Sequence, residues 1–306
     1  MHPSLSLQKK MNVLIYGGNG WIGAMFVQEY RRKYPSATVT ISAIKVNSSN
    51  VKTLEEEIAG VDRVVCTLGR TSGPAKDGGA FINTIDYLED HLNENVRDNL
   101  WAPVTLAKIC ARFQKPFFYL GTGCIFSWDT LADTERRVVE EDRPDFFGSG
   151  YSIVKGYTDE LMKLFSNVCN WRIRMPIVNY PHPKNFISKI ASYSLINNNN
   201  NSMTYLPHLI PVMVEMTFKN AKGTFNMTNA GYSSHTTILD LYKAKVDPSH
   251  SYHLATGEKD LNLASKRSSN IMSTNKLTEW CELEGVPAPS SIQECLEECF
   301  QKWNSA

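Results

Sequence analysis

Short apolar runs alternate with helical patterns along the first half of the chain. Residues 13–16 (VLIY) form the first run, and the glycines after it are typical of a strand buried on both faces of a parallel sheet. A helix is predicted directly afterwards, over residues 21–34. The alternation continues to about residue 177 and predicts an α/β fold with a doubly wound parallel sheet. The other predicted elements are strands at 38–44, 62–68, 116–120 and 171–177, and helices at 81–112, interrupted near Pro103, and at 151–165.

Three glycines follow the first strand at G-x-x-G-x-x-G spacing. Gly17 allows a sharp turn, Gly20 lets backbone N–H groups approach a pyrophosphate, and Gly23 lets the next helix pack closely on the strand. The sequence therefore predicts a dinucleotide-binding turn of the Rossmann type. The loop at 69–79, which follows the third strand, is expected to line the same crevice. The predicted cofactor contacts in these two segments are Gly17, Gly20, Trp21, Ile22, Gly23 and Leu68.

The end of the second predicted strand determines the choice of cofactor. Folds that select NAD usually place Asp or Glu there, to hold the ribose 2′-hydroxyl. This chain instead carries Ser42, Lys45 and Asn47, which suit a 2′-phosphate. NADPH is therefore the predicted cofactor, with Lys45 as a contact, and NADH stays open.

The regular rhythm weakens after about residue 181. A strand is predicted at 225–229 and a short helix at 236–243, and the asparagine run 197–201 is interpreted as a surface loop with no role of its own. The last helix has Cys295 and Cys299 on its apolar face, so both are interpreted as core residues. The predicted domains are a flexible leader at 1–10, a dinucleotide-binding domain at 11–180 and, at 181–306, a smaller irregular lobe that mainly binds substrate, with some segments returning to the sheet.

Composition limits the class of partner. The 306 residues include 32 basic and 31 acidic side chains, a balance that creates no strong field for nucleic acid or a membrane surface. No apolar run approaches the ~20 residues of a membrane span. The seven cysteines are scattered and odd in number, which favours a reducing compartment, and a cytoplasmic location is predicted. We expect a small-molecule substrate in a pocket and no metal site.

Tyr151 and Lys155 form the clearest chemical motif. Their spacing puts a phenol and an ammonium on one face of a helix, one turn apart. The nearby cation and the positive field of the cofactor are expected to lower the pKa of the tyrosine, and Lys155 can also bind the nicotinamide ribose. Thr122 ends the preceding strand and can share a substrate carbonyl oxygen with Tyr151. This set predicts a ketone reductase.

These three residues resemble the catalytic set of the extended short-chain dehydrogenase/reductase superfamily, and Asn99 matches an asparagine that shapes its site. Longer stretches resemble, more narrowly, the plant-type nucleotide-rhamnose synthase epimerase/reductases. The likeness runs from the first strand to about residue 276. The resemblance implies an NADPH-dependent bifunctional enzyme, which epimerises UDP-4-keto-6-deoxy-D-glucose at C3 and C5 and then reduces C4 to give UDP-L-rhamnose. The matching blocks are 121–126, 140–152, 172–177, 184–190, 201–204 and 228–235.

The resemblance also implies that Cys124 and Lys189 are the epimerase pair. In the D-gluco chair the C3 and C5 hydrogens are axial on one face, so one base there and one acid opposite suffice for both inversions. Which of the two side chains is the base stays open. The resemblance assigns five residues to the substrate, with Arg267 at the diphosphate and Asn185 in the same region. These are Asp86, Glu89, Asn99, Asn185 and Arg267.

Two alternative functions remain at this point. The chain could be a nucleotide 4-keto-6-deoxy sugar reductase without epimerase activity, or a dinucleotide-sensing regulator without turnover. Regulators of that kind commonly lack the tyrosine–lysine pair, which this chain has. The preference for UDP over dTDP stays open, and a homodimer through helices near residues 151–155 is expected by analogy with the superfamily.

Overall fold

The computed structural model describes residues 11–257, 260 and 263–303, so the predicted leader lies outside the described residues. The strands are β1 (Asn12–Tyr16), β2 (Thr38–Ile41), β3 (Arg63–Cys66), β4 (Gly73–Pro74), β5 (Phe81–Ile82), β6 (Phe117–Thr122), β7 (Val168–Ile173), β8 (Pro176–Ile177), β9 (Leu195–Ile196), β10 (Thr204–Tyr205), β11 (Gly223–Asn226) and β12 (His253–Leu254). The helices are α1 (Trp21–Lys33), α2 (Val51–Ala59), α3 (Leu92–Val96), α4 (Ala102–Arg112), α5 (Gly150–Met162), α6 (Phe186–Ala191), α7 (Leu206–Phe218), α8 (His235–Lys245), α9 (Asn275–Glu284) and α10 (Ile292–Gln301).

Six parallel strands form the main sheet, in the order β11-β7-β6-β3-β1-β2. The chain moves outward from β1 to β2 and then returns to the other side of β1 with β3. The strand order therefore reverses between β1 and β3, and ligands of such sheets bind beyond the carboxyl ends of the strands at this point. The doubly wound fold predicted from the sequence is confirmed.

Alternating side chains of the strands build a core on each face of the sheet. Val13 and Ile15 pack beneath α1 and α7 on one face, whereas Leu14 and Tyr16 pack beneath α2 and α4 on the other. A third apolar cluster joins α6, α8 and α10, and contains Cys295 and Cys299. Segments of the C-terminal third, α7, β11 and α9, return to the main sheet. Every helix of the described residues is too short or too polar to cross a membrane.

The predicted helix at 81–112 is wrong in its first part. Phe81–Ile82 pairs with Gly73–Pro74 as a small antiparallel ribbon, and a 3₁₀ turn follows at Ile85–Leu88. The interruption expected near Pro103 is a π-helical turn, Arg97–Trp101, between α3 and α4. Because proline has no N–H, it cannot donate to the carbonyl of Asn99, four residues earlier. That carbonyl accepts the hydroxyl of Thr158 instead, at 2.7 Å.

Two further predictions need correction. The strand expected at 171–177 starts earlier and stops at Ile173, and after Met175, which has φ of 40°, the chain continues as β8 outside the main sheet. The asparagine run is not a surface loop without a role. Asn201 is fully buried and pairs with Ser233, while Asn199 donates to Ser269 at 2.8 Å. Amide side chains donate and accept at once, so the run can hold together a lobe that has few long strands.

Candidate active site

The glycine turn fits a dinucleotide. Gly17 has φ of +83°, and a Cβ there would lie 2.8 Å from Oγ1 of Thr67, while a Cβ on Gly23 would lie 2.2 Å from the carbonyl oxygen of Gly17. No side chain caps the start of α1 at Gly20, so its first backbone N–H groups, including those of Trp21 and Ile22, are left without a side-chain acceptor. Uncapped N–H groups and the helix dipole together suit a pyrophosphate.

At the carboxyl end of β2 the three predicted residues differ in what they contact. Ser42 donates its hydroxyl to Glu57 at 2.8 Å, and the carboxylate of Glu57 also accepts the hydroxyl of Tyr16 at 2.7 Å. Asn47 caps a 3₁₀ turn by accepting two backbone N–H groups. Lys45 is exposed. The sequence reading missed Glu57, because this acid reaches the strand end from α2 rather than from the strand itself.

The α5 helix carries Tyr151 and Lys155 and is fixed at both ends. At its start, Ser149 accepts the N–H of Ser152, and Glu89 accepts the N–H of Gly150 at 2.8 Å. Near its other end, the carboxylate of Asp159 binds Arg172 of β7 through two hydrogen bonds of 2.7 and 2.9 Å. Glu89, predicted to touch substrate, thus binds the amino end of the catalytic helix.

Thr122, Cys124 and Tyr151 lie together at the carboxyl end of β6. The N–H of Cys124 donates to Oγ1 of Thr122 at 3.1 Å, and the half-buried thiol packs beside the ring of Tyr151. Burial raises the pKa of Tyr151, negative charge on Cys124 adds to this, and hydrogen bonding with Thr122 opposes it. The expected lowering of this pKa is therefore not seen in the protein alone, because desolvation disfavours the phenolate.

Lys155 is buried and directs its ammonium at the preceding strand. It donates to the hydroxyl of Tyr119, with Nζ 4.5 Å from the ring centroid, and lies 3.4 Å from the carbonyl oxygen of Leu120. Burial lowers the pKa of Lys155 to about 8. Tyr119 was missed in the sequence, where it reads as one more aromatic residue in an apolar strand.

Asn99 lies in the π-helical turn and is fully buried. Its amide accepts the N–H of Arg70 and donates to the carbonyl of the same residue, both at 2.9 Å. Arg70 belongs to the loop that follows β3 and the half-buried Leu68. Asn99 thus fixes that loop beside the cofactor crevice.

Lys189 lies on α6, in the C-terminal part of the chain. Its Nζ donates to the carbonyl oxygen of Asn83 at 2.9 Å. Burial lowers its pKa to about 8, and the charges of Lys184 and Arg267 contribute. Asn185 caps α6 and donates both amide hydrogens to the carbonyls of Val178 and Tyr180, so its side chain positions the helix that bears Lys189.

Arg267 and Asp86 form an ion pair with contacts of 2.6 and 3.1 Å. Ser265 adds two hydrogen bonds to the same carboxylate. Burial alone would raise the pKa of Asp86, but Arg267 holds it below its usual value. The guanidinium predicted to meet a diphosphate is thus preoriented by Asp86. The described residues contain no group of three or more His, Cys, Asp or Glu side chains placed to hold a metal ion.

No family model matches the chain. The crystal structure of a UDP-rhamnose synthase from Acanthamoeba polyphaga mimivirus superimposes with a TM-score of 0.86 at 38% identity, covering 95% of this chain and 99% of that one. A bifunctional dTDP-4-dehydrorhamnose 3,5-epimerase/dTDP-4-dehydrorhamnose reductase of Arabidopsis thaliana is 34% identical, over 92% of this chain and 91% of the relative.

The chain is also similar to a trifunctional UDP-glucose 4,6-dehydratase/UDP-4-keto-6-deoxy-D-glucose 3,5-epimerase/UDP-4-keto-L-rhamnose-reductase of Arabidopsis thaliana. The two are 33% identical over 94% of this chain, which spans 41% of that longer protein. With such identity along most of its length, the chain belongs to the nucleotide-rhamnose synthase epimerase/reductases of the extended short-chain dehydrogenase/reductase superfamily, a family of nucleotide-sugar enzymes.

Proposed function

We propose that this protein converts UDP-4-keto-6-deoxy-D-glucose to UDP-L-rhamnose, as a 3,5-epimerase and an NADPH-dependent 4-reductase in one chain. One observation carries the proposal. The thiol of Cys124 lies beside Tyr151, and the backbone N–H of Cys124 donates to Thr122. A further titratable side chain therefore lies next to the residues proposed to reduce the ketone. A simple reductase needs no such group.

The epimerase half requires a base and an acid on opposite faces of the sugar. One of Cys124 and Lys189 removes the proton from C3 or C5, and the other returns a proton to the opposite face. The electron pair left on carbon passes into the C4 carbonyl as an enolate. Tyr151 and Thr122 stabilise the enolate oxygen by hydrogen bonding, in a site that burial has partly desolvated.

The reductase half uses Tyr151 as an acid. The bound nicotinamide supplies the hydride that C4 receives. Tyr151 then donates its proton to the oxygen on C4, and its raised pKa suits this task because the phenol stays protonated at neutral pH. Lys155, one helical turn from Tyr151 and hydrogen-bonded to Tyr119, supplies a positive charge on the same face of α5.

The cofactor part of the proposal rests on the end of β2. Exposed Lys45 can meet a 2′-phosphate, and Glu57 is already bound by two hydroxyl groups. NADPH is therefore the favoured cofactor over NADH. Gly17, Gly20, Trp21, Ile22, Gly23 and Leu68 hold the rest of the dinucleotide.

For the substrate, we propose that Arg267 binds the UDP diphosphate, since a forked guanidinium can share its donors between Asp86 and a phosphate. Asn99, Asn185 and Glu89 act by positioning, because their side chains bind backbone groups near the crevice. Cytoplasmic location is proposed from the seven free thiols.

The deciding experiment incubates the protein with UDP-4-keto-6-deoxy-D-glucose and NADPH in deuterated water. The proposal predicts UDP-L-rhamnose carrying deuterium at C3 and C5. Cys124→Ala and Lys189→Met should lose this exchange, yet still reduce UDP-4-keto-L-rhamnose that is supplied already epimerised. Reduction of the starting ketone without exchange would favour the reductase-only alternative, and a parallel reaction with the dTDP sugar measures nucleotide preference.

A further inference from the structure

Arg174 is a buried cation that the proposed function does not yet use. It is 1% exposed, and it lies directly after β7, two residues beyond Arg172. The two arginines differ in their partners. Arg172 is paired with Asp159, whereas no Asp or Glu within the described part of the chain forms an ion pair with Arg174.

The guanidinium of Arg174 is held by neutral acceptors and one thiol. It donates to both the hydroxyl and the carbonyl of Ser268, at 2.9 and 2.7 Å, and to the side chain of Asn201. It also lies 3.3 Å from the carbonyl oxygen of Gly123 and 3.4 Å from Sγ of Cys124. Cys124 is thus the one group in this set that can acquire a negative charge.

A buried cation without a counter-ion destabilises the folded protein. Burial lowers the pKa of Arg174, and the interaction with charge on Cys124 opposes that effect. Arginine nevertheless remains protonated in proteins. A thiolate at Cys124, with its sulfur 3.4 Å from the guanidinium, would therefore give Arg174 a counter-ion.

We propose that Arg174 is a positioning residue for Cys124 and stabilises its thiolate, the form in which Cys124 acts as the base of the epimerisation with Lys189 as the acid. This inference rests on the proposed function and adds Arg174 to it. The thiolate takes the proton from C3 and becomes a thiol, while the C–H electron pair forms the enolate. The ammonium of Lys189 then gives a proton to C3 from the other face and becomes an amine, which restores the C4 ketone. Exchange of one proton with water at each group restores both before the step at C5.

The other charged and titratable groups around Cys124 are consistent with this assignment. Tyr151 and Lys155 of α5 lie close enough to Cys124 to interact with its charge, and Lys155 is a cation when protonated. His235, at the start of α8, lies near Arg174. Burial and the charge of Arg174 lower the pKa of His235 to about 4, so its imidazole is neutral at pH 7 and adds no competing charge.

The test compares Arg174→Gln with Arg174→Lys, which keeps the charge. Alkylation of Cys124 by iodoacetamide is followed between about pH 6 and 9 by mass spectrometry of its peptide, and each rate is expressed relative to its plateau at high pH. We expect Arg174→Gln to move this profile to higher pH by about one unit or more, a roughly tenfold loss of reactive thiolate at pH 7. Arg174→Lys should stay close to the parent.

The C4-reductase activity of each variant shows whether the variant is folded. Arg174→Gln should lose deuterium exchange at C3 and C5 about tenfold, yet reduce UDP-4-keto-L-rhamnose within about threefold of the parent rate. An unshifted alkylation profile, or equal loss of both activities without rescue by lysine, overturns the inference. If the glutamine variant does not fold, the parent protein provides the test. The inference then requires the alkylation profile of Cys124 in the folded parent to have its midpoint at a lower pH than in the urea-unfolded chain. If Arg174→Gln has none of these effects but Cys124→Ala still loses deuterium exchange, the role of Arg174 is wrong and the proposed function stands.

Discussion

At the residue scale, burial determines the proton affinity of the two lysines in the crevice. Lys155 and Lys189 lie on different helices, and burial lowers the pKa of each to about 8. Neither is paired with a carboxylate among the described residues. A lysine of this kind can give up its proton near neutral pH, but the folded protein bears the cost of the buried charge.

That cost gives a prediction for Lys155→Met. Between about pH 8 and 10.5 the unfolded chain keeps a proton on Lys155 that the folded chain has lost, so the stability of the parent rises with pH in this window relative to the variant. At pH 7 we expect the variant to be the more stable, by up to about 3 kcal/mol. Urea unfolding of both proteins at pH 7.5, 9 and 10 measures the difference. If the excess stability of the variant over the parent grew with pH, the lowered pKa of Lys155 would be wrong.

Cofactor choice is also decided by single residues. Lys45→Glu should raise the KM for NADPH by about ten- to a hundredfold, because the variant exchanges a cation near the 2′-phosphate for an anion, while the KM for NADH changes little. Lys108→Glu, at an exposed position on α4, is the matched control. Steady-state reduction of UDP-4-keto-L-rhamnose with each cofactor provides the measurement. An unchanged ratio of the two KM values would exclude Lys45 from the 2′-phosphate site.

At the element scale, α5 is held where its two catalytic side chains meet the strand ends. Asp159 joins α5 to Arg172 and Asn170 of β7, and Thr158 joins it to the π-helical turn through the carbonyl of Asn99. Because Pro103 has no N–H, the carbonyl of Asn99 is available to Thr158, and the irregular turn thereby helps to hold α5.

This anchoring predicts a large effect of Asp159→Asn. The substitution leaves Arg172 charged and buried without a counter-ion, so we expect the free energy of unfolding to fall by about 3–5 kcal/mol. Glu160→Gln, one residue later, removes the negative charge from a contact of 2.7 Å with the partly exposed Lys163 and should cost less than about 1 kcal/mol. Chemical denaturation separates the two. Equal losses would mean that the Asp159 pair does not hold the helix.

The elements that could be predicted from the sequence are those whose periodicity is local. The strand at 13–16, the glycine turn and the helix with Tyr151 and Lys155 depend on neighbouring residues alone. The asparagine run could not be interpreted in this way, because its partners, Ser233 and Ser269, lie far along the chain. Arg174 was passed over for the same reason, since its burial and its contact with Cys124 are tertiary.

At the scale of the whole molecule, one face carries exposed apolar side chains. Leu92 and Val96 of α3, and Tyr157 and the nearby Leu164 of the α5 region, are 39–78% exposed, and α3 packs against α5. Exposed apolar side chains on two neighbouring helices are typical of an interface. It supports the homodimer expected from the position of the helix with Tyr151.

Light scattering after size exclusion tests that expectation. We expect the parent to have the mass of a dimer, and Tyr157→Lys combined with Leu164→Lys to have the mass of a monomer, because the charges would be buried in the interface. Leu283→Lys, which alters an even more exposed apolar residue of α9, should remain dimeric. A monomeric parent would rule out the proposed interface.

The central claim is that one crevice holds two separable chemistries, and Tyr151→Phe tests it most directly. The variant keeps the ring that packs beside Cys124 but loses the hydroxyl that protonates the C4 oxygen. With UDP-4-keto-6-deoxy-D-glucose and NADPH in deuterated water, we expect slower but measurable incorporation of deuterium at C3 and C5, because Thr122 still donates to the enolate oxygen, and no reduction at C4. The account would be contradicted if Tyr151→Phe reduced C4 at the parent rate, or if neither the variant nor the parent protein incorporated deuterium at C3 and C5.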